Sequence, residues 1–225
     1  MPAAVLFDQD GTVVDTEPLW MAAESGVVGR HGGTWTTERG LQMVGKPLLE
    51  SAAIMIEQVP LPMTPGQVVA ELLDHVRTAL REDGVPWMPA FPDYLLQLRE
   101  AGVPVALVTS SYRAVVEVVA ELAPHGGFDT VVAGDDVTAP KPAPEAYLRA
   151  AHRLGVDIRD CLVIEDSPSG IEAGLASGAR VVGIPCMLPV VPREGLSRVG
   201  SLSELDAATM GRIMAGEVVD TVGPR

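Results

Sequence analysis

Residues 3–7 form an apolar run, Ala-Ala-Val-Leu-Phe, that passes without a break into Asp8-Gln9-Asp10-Gly11. A strand apolar along its whole length is buried on both faces, and such strands belong to parallel sheets covered by helices. Asp8 and Asp10 fall two apart at its end, and Gly11 marks a turn, so both carboxylates can converge on one point beyond the strand. In open α/β sheets that point is the crevice where ligands bind. Two acids at a turn also suit an ordinary solvated loop, so the other strands have to decide between the readings.

The next stretch contains no convincing strand. Helices are expected over residues 17–31, 36–43, 48–58 and 65–82. In the last of these Val68, Val69, Leu72, Leu73, Val76 and Leu80 recur at threes and fours, the mark of an amphipathic helix. Residues 84–92 read as a returning linker. From residue 93 the pattern becomes regular: helices over 93–100, 113–122, 144–154 and 169–177 alternate with short strands at 104–108, 130–133, 161–164 and 180–184. That alternation implies right-handed crossovers in a parallel sheet. A short piece at 199–202 and a helix at 207–215 close the chain. The expected fold is therefore α/β, a Rossmann-like parallel-sheet core of residues 1–15 and 90–225, with an all-helical subdomain of residues 16–89 inserted after the first strand.

Four strand ends carry polar groups: Asp8 and Asp10, Thr109 and Ser110, Asp135 and Asp136, and Glu165 and Asp166. Parallel topology places all four on one edge of the sheet. Two like charges 4 Å apart cost roughly 4 kcal/mol at an effective dielectric of 20, whereas a whole domain is stable by only about 5–15 kcal/mol. Asp8, Asp10, Glu165 and Asp166 cannot all stay ionised there unaided, so protons or a cation must join them. Hard oxygen donors favour Mg²⁺. The expected ligands are Asp8, the Asp10 carbonyl and Asp166, with Glu165 bound to the ion or just behind it. Lys141 and Lys46 are the two lysines of the chain. Lys141, stiffened between prolines, can reach the acidic edge and an incoming phosphoryl oxygen. Thr109 and Ser110 offer hydroxyls and turn amides ahead of a helix, which suit phosphoryl oxygens or simple helix capping.

The formal charge of −14 argues against nucleic acid or an anionic membrane surface as partner. Small anionic substrates remain compatible, because they respond only to charges within a Debye length of about 8 Å. Two cysteines are too few for a disulfide framework, and no apolar run is long enough to cross a membrane. A cytoplasmic protein is the expectation.

Taken in order, Asp8-Gln9-Asp10-Gly11-Thr12, Thr109-Ser110, Lys141-Pro142-Ala143-Pro144-Glu145 and Ile164-Glu165-Asp166-Ser167-Pro168-Ser169-Gly170 resemble the four motifs of the haloacid dehalogenase superfamily of phosphotransferases. The helical insert resembles that family's mobile cap. The resemblance implies that Asp8 is a nucleophile forming an aspartyl-phosphate, and that Asp10 is general acid and then general base. It further implies that Mg²⁺ and Lys141 neutralise the transition state while Thr109 and Ser110 hold its oxygens. Gln9 departs from the apolar residue usual at its position; its side chain is expected to point away from Asp8 and Asp10.

Asp15-Thr16-Glu17-Pro18-Leu19-Trp20 and Val44-Gly45-Lys46-Pro47-Leu48-Leu49-Glu50-Ser51 resemble the branch that holds sugar-phosphate phosphatases and beta-phosphoglucomutase. Mutases of that branch carry a cap arginine where Leu48 stands, and a cap histidine where Trp20 or its apolar neighbours stand. Their absence favours hydrolysis of a small phosphomonoester over a mutase reaction. Glu17, Trp20 and Lys46 are candidate specificity residues of the cap. A phospho-accepting signalling switch also combines an acidic cluster, a Ser or Thr and a Lys on a parallel sheet, and a non-catalytic binder could retain the fold. The helical insert and the intact motifs weigh against these two.

Overall fold

A computed structural model describes residues 1–43 and 46–223. Among them the chain forms two compact units, residues 1–15 with 86–225 and residues 16–85. Residues 86–88, expected within the linker, already pair with the first segment. Asp15 N donates to Pro86 O at 2.9 Å and Met88 N to Val13 O at 2.9 Å, while Val14 and Trp87 form an antiparallel bridge.

The first unit is built on a fully parallel sheet of order β3-β2-β1-β4-β5-β6. Its strands are β1 (Ala4–Phe7), β2 (Val105–Val108), β3 (Thr130–Val132), β4 (Cys161–Glu165), β5 (Arg180–Gly183) and β6 (Leu196–Arg198). β1 lies at the centre with every residue buried, as its unbroken apolar run requires. Alternation then assigns the faces. Ala4 and Leu6 join Ala106, Val108, Cys161 and Val163 in one cluster with Ala146, Tyr147 and Ala150 of the amphipathic helix α7 (Glu145–Leu154). Phe7 belongs to the opposite face, where its ring meets Phe91 and Tyr94 edge-on at 5.6 and 6.0 Å.

The sixth strand departs from expectation: it spans Leu196–Arg198 rather than 199–202, and residues 202–204 form a short 3-10 turn. Polar residues disguise it. Ser197 is buried and its Oγ accepts from Val219 N at 3.1 Å, and Arg198 is buried against Asp220, Val190 O and Gly223 O.

The second unit is helical: α1 (Glu17–Arg30), α2 (Thr37–Leu41), α3 (Leu48–Gln58) and α4 (Pro65–Glu82). α4 starts in a capping box between Thr64 and Gln67 and buries Val68, Val69, Leu72, Val76 and Leu80. α1 supplies Ala23, Val27 and Val28 to the unit's core and α3 supplies Ala52 and Met55. A carboxylate, Glu24, is buried there as well, where it accepts a hydrogen bond from Trp35 Nε1 at 2.8 Å. The remaining helices of the first unit are α5 (Phe91–Glu100), α6 (Arg113–Glu121), α8 (Pro168–Ser177) and α9 (Ala207–Met214). Among the described residues no helix is long and apolar enough to cross a membrane.

Candidate active site

Strand parity builds the site. Asp8 continues the face of Ala4 and Leu6 past the end of β1. Glu165 continues the face of Cys161 and Val163 on β4, whose Val163 is in register with Leu6. Both carboxylates therefore emerge on the side covered by α7, and the loop preceding α7 carries Lys141. Its ammonium donates to Asp8 Oδ1 at 2.6 Å, Glu165 Oε1 at 2.7 Å and Val108 O at 3.0 Å, and lies 4.9 Å from the centre of the Tyr147 ring. The lysine side chain is only 3 % exposed. Burial acts to lower its pKa, but Asp8 and Glu165 outweigh burial and hold the ammonium well above the ordinary lysine range. The lysine is charged throughout the physiological range.

Glu165 is fully engaged. Besides Lys141, its Oε1 accepts from Tyr147 Oη at 2.7 Å, and its Oε2 accepts from Asp166 N, Ser167 N and Ser167 Oγ at 3.1, 3.1 and 2.9 Å. Ser167 also caps α8, accepting from Gly170 N at 3.1 Å. Gly170 is required by contact: a Cβ there would fall 1.6 Å from Glu165 Oε1. Gly11 answers to two demands, with φ of +88° and a Cβ position 2.3 Å from Asp166 Oδ2.

Asp8, Glu165 and Asp166 bring carboxylate oxygens within 4.8 Å of one another. Burial, then Glu165, raise Asp8 well above the carboxylate range despite Lys141, and burial, Glu165 and Asp10 raise Asp166 to about 7. Asp166 Oδ1 is buried with no hydrogen-bond partner among the described residues. An orphaned carboxylate oxygen within an acid cluster is what a hard divalent cation satisfies, so the donor set fits Mg²⁺.

The Asp10 carboxyl is engaged differently. Oδ2 accepts from Ser111 Oγ at 2.6 Å and Thr109 Oγ1 at 3.3 Å, and Oδ1 accepts from Gln9 Nε2 at 3.1 Å. The expectation that Gln9 points away from Asp10 is therefore wrong. β1 ends at Phe7, and the chain then curls around the Gln9 carbonyl, which accepts from Thr12 N, Val13 N and Val14 N at 3.2, 2.9 and 3.1 Å. Strand alternation no longer applies beyond that point.

Thr109 sits at the end of β2, and its Oγ1 also accepts from Ser111 N at 2.9 Å. Ser110 is exposed, and Gly134 allows its carbonyl close approach, since a Cβ on Gly134 would lie 2.1 Å from Ser110 O. Asp135 and Asp136 stand apart from the cluster. Asp135 Oδ1 accepts from Arg113 N at 3.0 Å, and Asp136 pairs with the Arg113 and Arg153 guanidinium groups. Ser111, Tyr147, Ser167 and Gln9 went unassigned in the sequence. Only Ser167, a serine ahead of a helix, carried a visible capping signal.

Three candidates belong to the helical unit. Glu17 opens α1, Trp20 is half-buried, and Lys46 pairs with Glu50 at 3.0 Å on an exposed surface. Val44 and Gly45 of the second cap motif lie outside the described residues.

The chain matches the family model described as haloacid dehalogenase-like hydrolase over residues 5–184. It is 33% identical over 81% of its length to a fructose-1-phosphate phosphatase of Escherichia coli K12, covering 96% of that protein. It is also 33% identical over 83% of its length to a bifunctional riboflavin kinase/FMN phosphatase of Arabidopsis thaliana, of which it spans 49%. Among solved structures, CbbY of Rhodobacter sphaeroides in complex with phosphate superposes with a TM-score of 0.81 at 25% identity, over 94% of this chain and 100% of that one. With the motifs, the sheet and the acid cluster in agreement, this chain belongs to the haloacid dehalogenase-like hydrolases, alongside relatives named as phosphatases.

Proposed function

We propose that the protein is a Mg²⁺-dependent phosphatase that hydrolyses a small phosphomonoester, a sugar phosphate, through an aspartyl-phosphate on Asp8. The observation that carries this reading is the pairing of an Asp8 carboxylate clamped by Lys141 with an orphaned Asp166 oxygen beside it. With Oδ1 held by Lys141, Asp8 attacks phosphorus through Oδ2. The new P–O bond forms as the bond to the leaving oxygen breaks, and Asp10 gives that oxygen its proton. Water then attacks the aspartyl-phosphate, Asp10 takes the water's proton, and inorganic phosphate departs with the Asp8 carboxylate restored.

Mg²⁺, held by Asp8, the Asp10 carbonyl and Asp166, would supply positive charge to the phosphoryl oxygens. Lys141 adds to that charge, and Thr109 and Ser110 orient the same oxygens. Glu165, already saturated with donors, serves chiefly to hold Lys141. Glu17, Trp20 and Lys46 of the helical unit are the candidates for substrate specificity. The sugar-phosphate class is supported by the fructose-1-phosphate phosphatase among the relatives. A cytoplasmic location fits two unpaired cysteines, Cys161 and Cys186.

The test is release of inorganic phosphate from a panel of sugar and other phosphomonoesters, with and without Mg²⁺, by the wild type, Asp8→Asn and Asp10→Asn. Mg²⁺-dependent turnover of sugar phosphates that both substitutions abolish is the expected result. Isomerised sugar phosphate without net release would replace hydrolysis by a mutase reaction, and phosphate retained on the protein without turnover would indicate a switch.

A further inference from the structure

We propose that Gln9 is a positioning residue for Asp10: its buried carboxamide fixes the plane of the Asp10 carboxyl, and with it the direction in which that group hands a proton to the leaving oxygen. This rests on the phosphatase reading above.

Gln9 is 0% exposed. Its Nε2 donates to Asp10 Oδ1 at 3.1 Å, while its Oε1 is buried with no partner among the described residues. Burying a carboxamide with its acceptor unmet is unfavourable relative to an apolar side chain of similar size. The bond to Asp10 is what the glutamine supplies and a leucine would not.

The geometry around Asp10 explains what that bond does. Ser111 Oγ at 2.6 Å and Thr109 Oγ1 at 3.3 Å both bind Oδ2. Gln9 Nε2 binds the other oxygen, Oδ1, so a rotation of the carboxyl about its Cβ–Cγ bond would disturb hydrogen bonds at both oxygens at once. The Gln9 main chain is itself anchored, because its carbonyl accepts three amides of the loop, those of Thr12, Val13 and Val14. A carboxamide can also turn over to present Oε1, so it can face a carboxyl that has just given up a proton or one that has just gained it.

Leaving-group dependence separates positioning of the proton donor from a general structural effect. p-Nitrophenolate departs without needing a proton, whereas the alkoxide of a sugar needs one. The ratio kcat/KM contains only the steps up to departure of the leaving group, so later hydrolysis of the aspartyl-phosphate does not enter. In Gln9→Leu, kcat/KM should fall about tenfold on an alkyl phosphomonoester such as fructose 1-phosphate and change less than about twofold on p-nitrophenyl phosphate, a loss in keeping with slight misplacement of a reacting group. Gln9→Met is the second variant, in case the branched side chain prevents folding, and Asp10→Ala gives the reference pattern of a missing proton donor.

Equal losses on both substrates, or no loss on either, would overturn the positioning role. If the Asp10 variant itself lacks the substrate-selective loss while the wild type turns over both esters, it is the assignment of Asp10 that fails, and the role of Gln9 with it. Absence of any hydrolysis by the wild type overturns the phosphatase reading as a whole.

Discussion

Glu24 offers a quantitative test of how the helical unit holds a charge. Burial pushes this carboxyl up from 4.5 to about 7; the Trp35 indole N–H opposes the rise and Glu17 adds to it. Between pH 4.5 and 7 the folded chain keeps a proton that the unfolded chain has released, so stability falls as pH climbs through that window. Above 7 both states are ionised and the loss is complete. A gap of that size corresponds to about 3 kcal/mol, an upper limit because water entering around the charged form would soften it. Glu24→Gln keeps an acceptor for Trp35 Nε1 and removes the charge. Urea unfolding at pH 5, 6, 7 and 8, followed by tryptophan fluorescence, measures the consequence. Trp20 and Trp35 report on the helical unit and Trp87 on the other, so separate transitions would be resolved. The variant should match the wild type at pH 5 and exceed it by about 2–3 kcal/mol at pH 8. Because every other titrating group is common to both proteins, parallel stability curves, or a variant weaker at pH 8, would refute the assignment of that cost to Glu24.

Three further outcomes concern the catalytic unit. Gly170→Ala places a methyl group 1.6 Å from Glu165 Oε1 and should cost at least the ~1–3 kcal/mol of an overpacked core, lowering turnover with stability; thermal unfolding and phosphate release measure both. Tyr147→Phe removes a donor to Glu165 at 2.7 Å and should destabilise by about 1.5–3 kcal/mol, the range for a hydrogen bond to a charged group, as read by chemical denaturation. Asp166→Asn should raise the Mg²⁺ concentration for half-maximal activity by about tenfold or more, and chelation should abolish turnover in the wild type until Mg²⁺ is restored.

Most of the sheet was legible because its strands are short, continuously apolar and closed by polar residues. Val105–Val108 and Cys161–Glu165 are cases in point, every residue of each being buried. β6 was not, because it buries Ser197 and Arg198 and satisfies them with Val219, Asp220 and Val190. A pattern that counts only apolar residues passes over a strand whose polar groups are paired by chain more than twenty residues away, as Arg198 and Asp220 are. The boundary of the helical unit moved for a related reason. Trp87 and Met88 looked like linker, yet their backbone groups bond to Val13 and Val14, a pairing between segments that no local signal records.

In the site, the residues that declared themselves were charged groups at strand ends, since a sheet edge gathers them whatever the intervening sequence. Those that stayed hidden act through other side chains. Tyr147 lies on the apolar stripe of α7 and reads as core, which most of it is; its hydroxyl, 2.7 Å from Glu165, and its ring, 4.9 Å from the Lys141 ammonium, make it part of the site. Gly170 is a clue of another kind: a glycine where a helix opens, five residues after Glu165, marks a place where another group passes close by. Gln9 marks where strand logic ends. Alternation sends successive side chains to opposite faces only while the chain stays extended, and past Asp8 it does not. Once the loop wraps around the Gln9 carbonyl, neighbours in sequence become neighbours in space, and the side chain that parity would turn away from Asp10 becomes its partner.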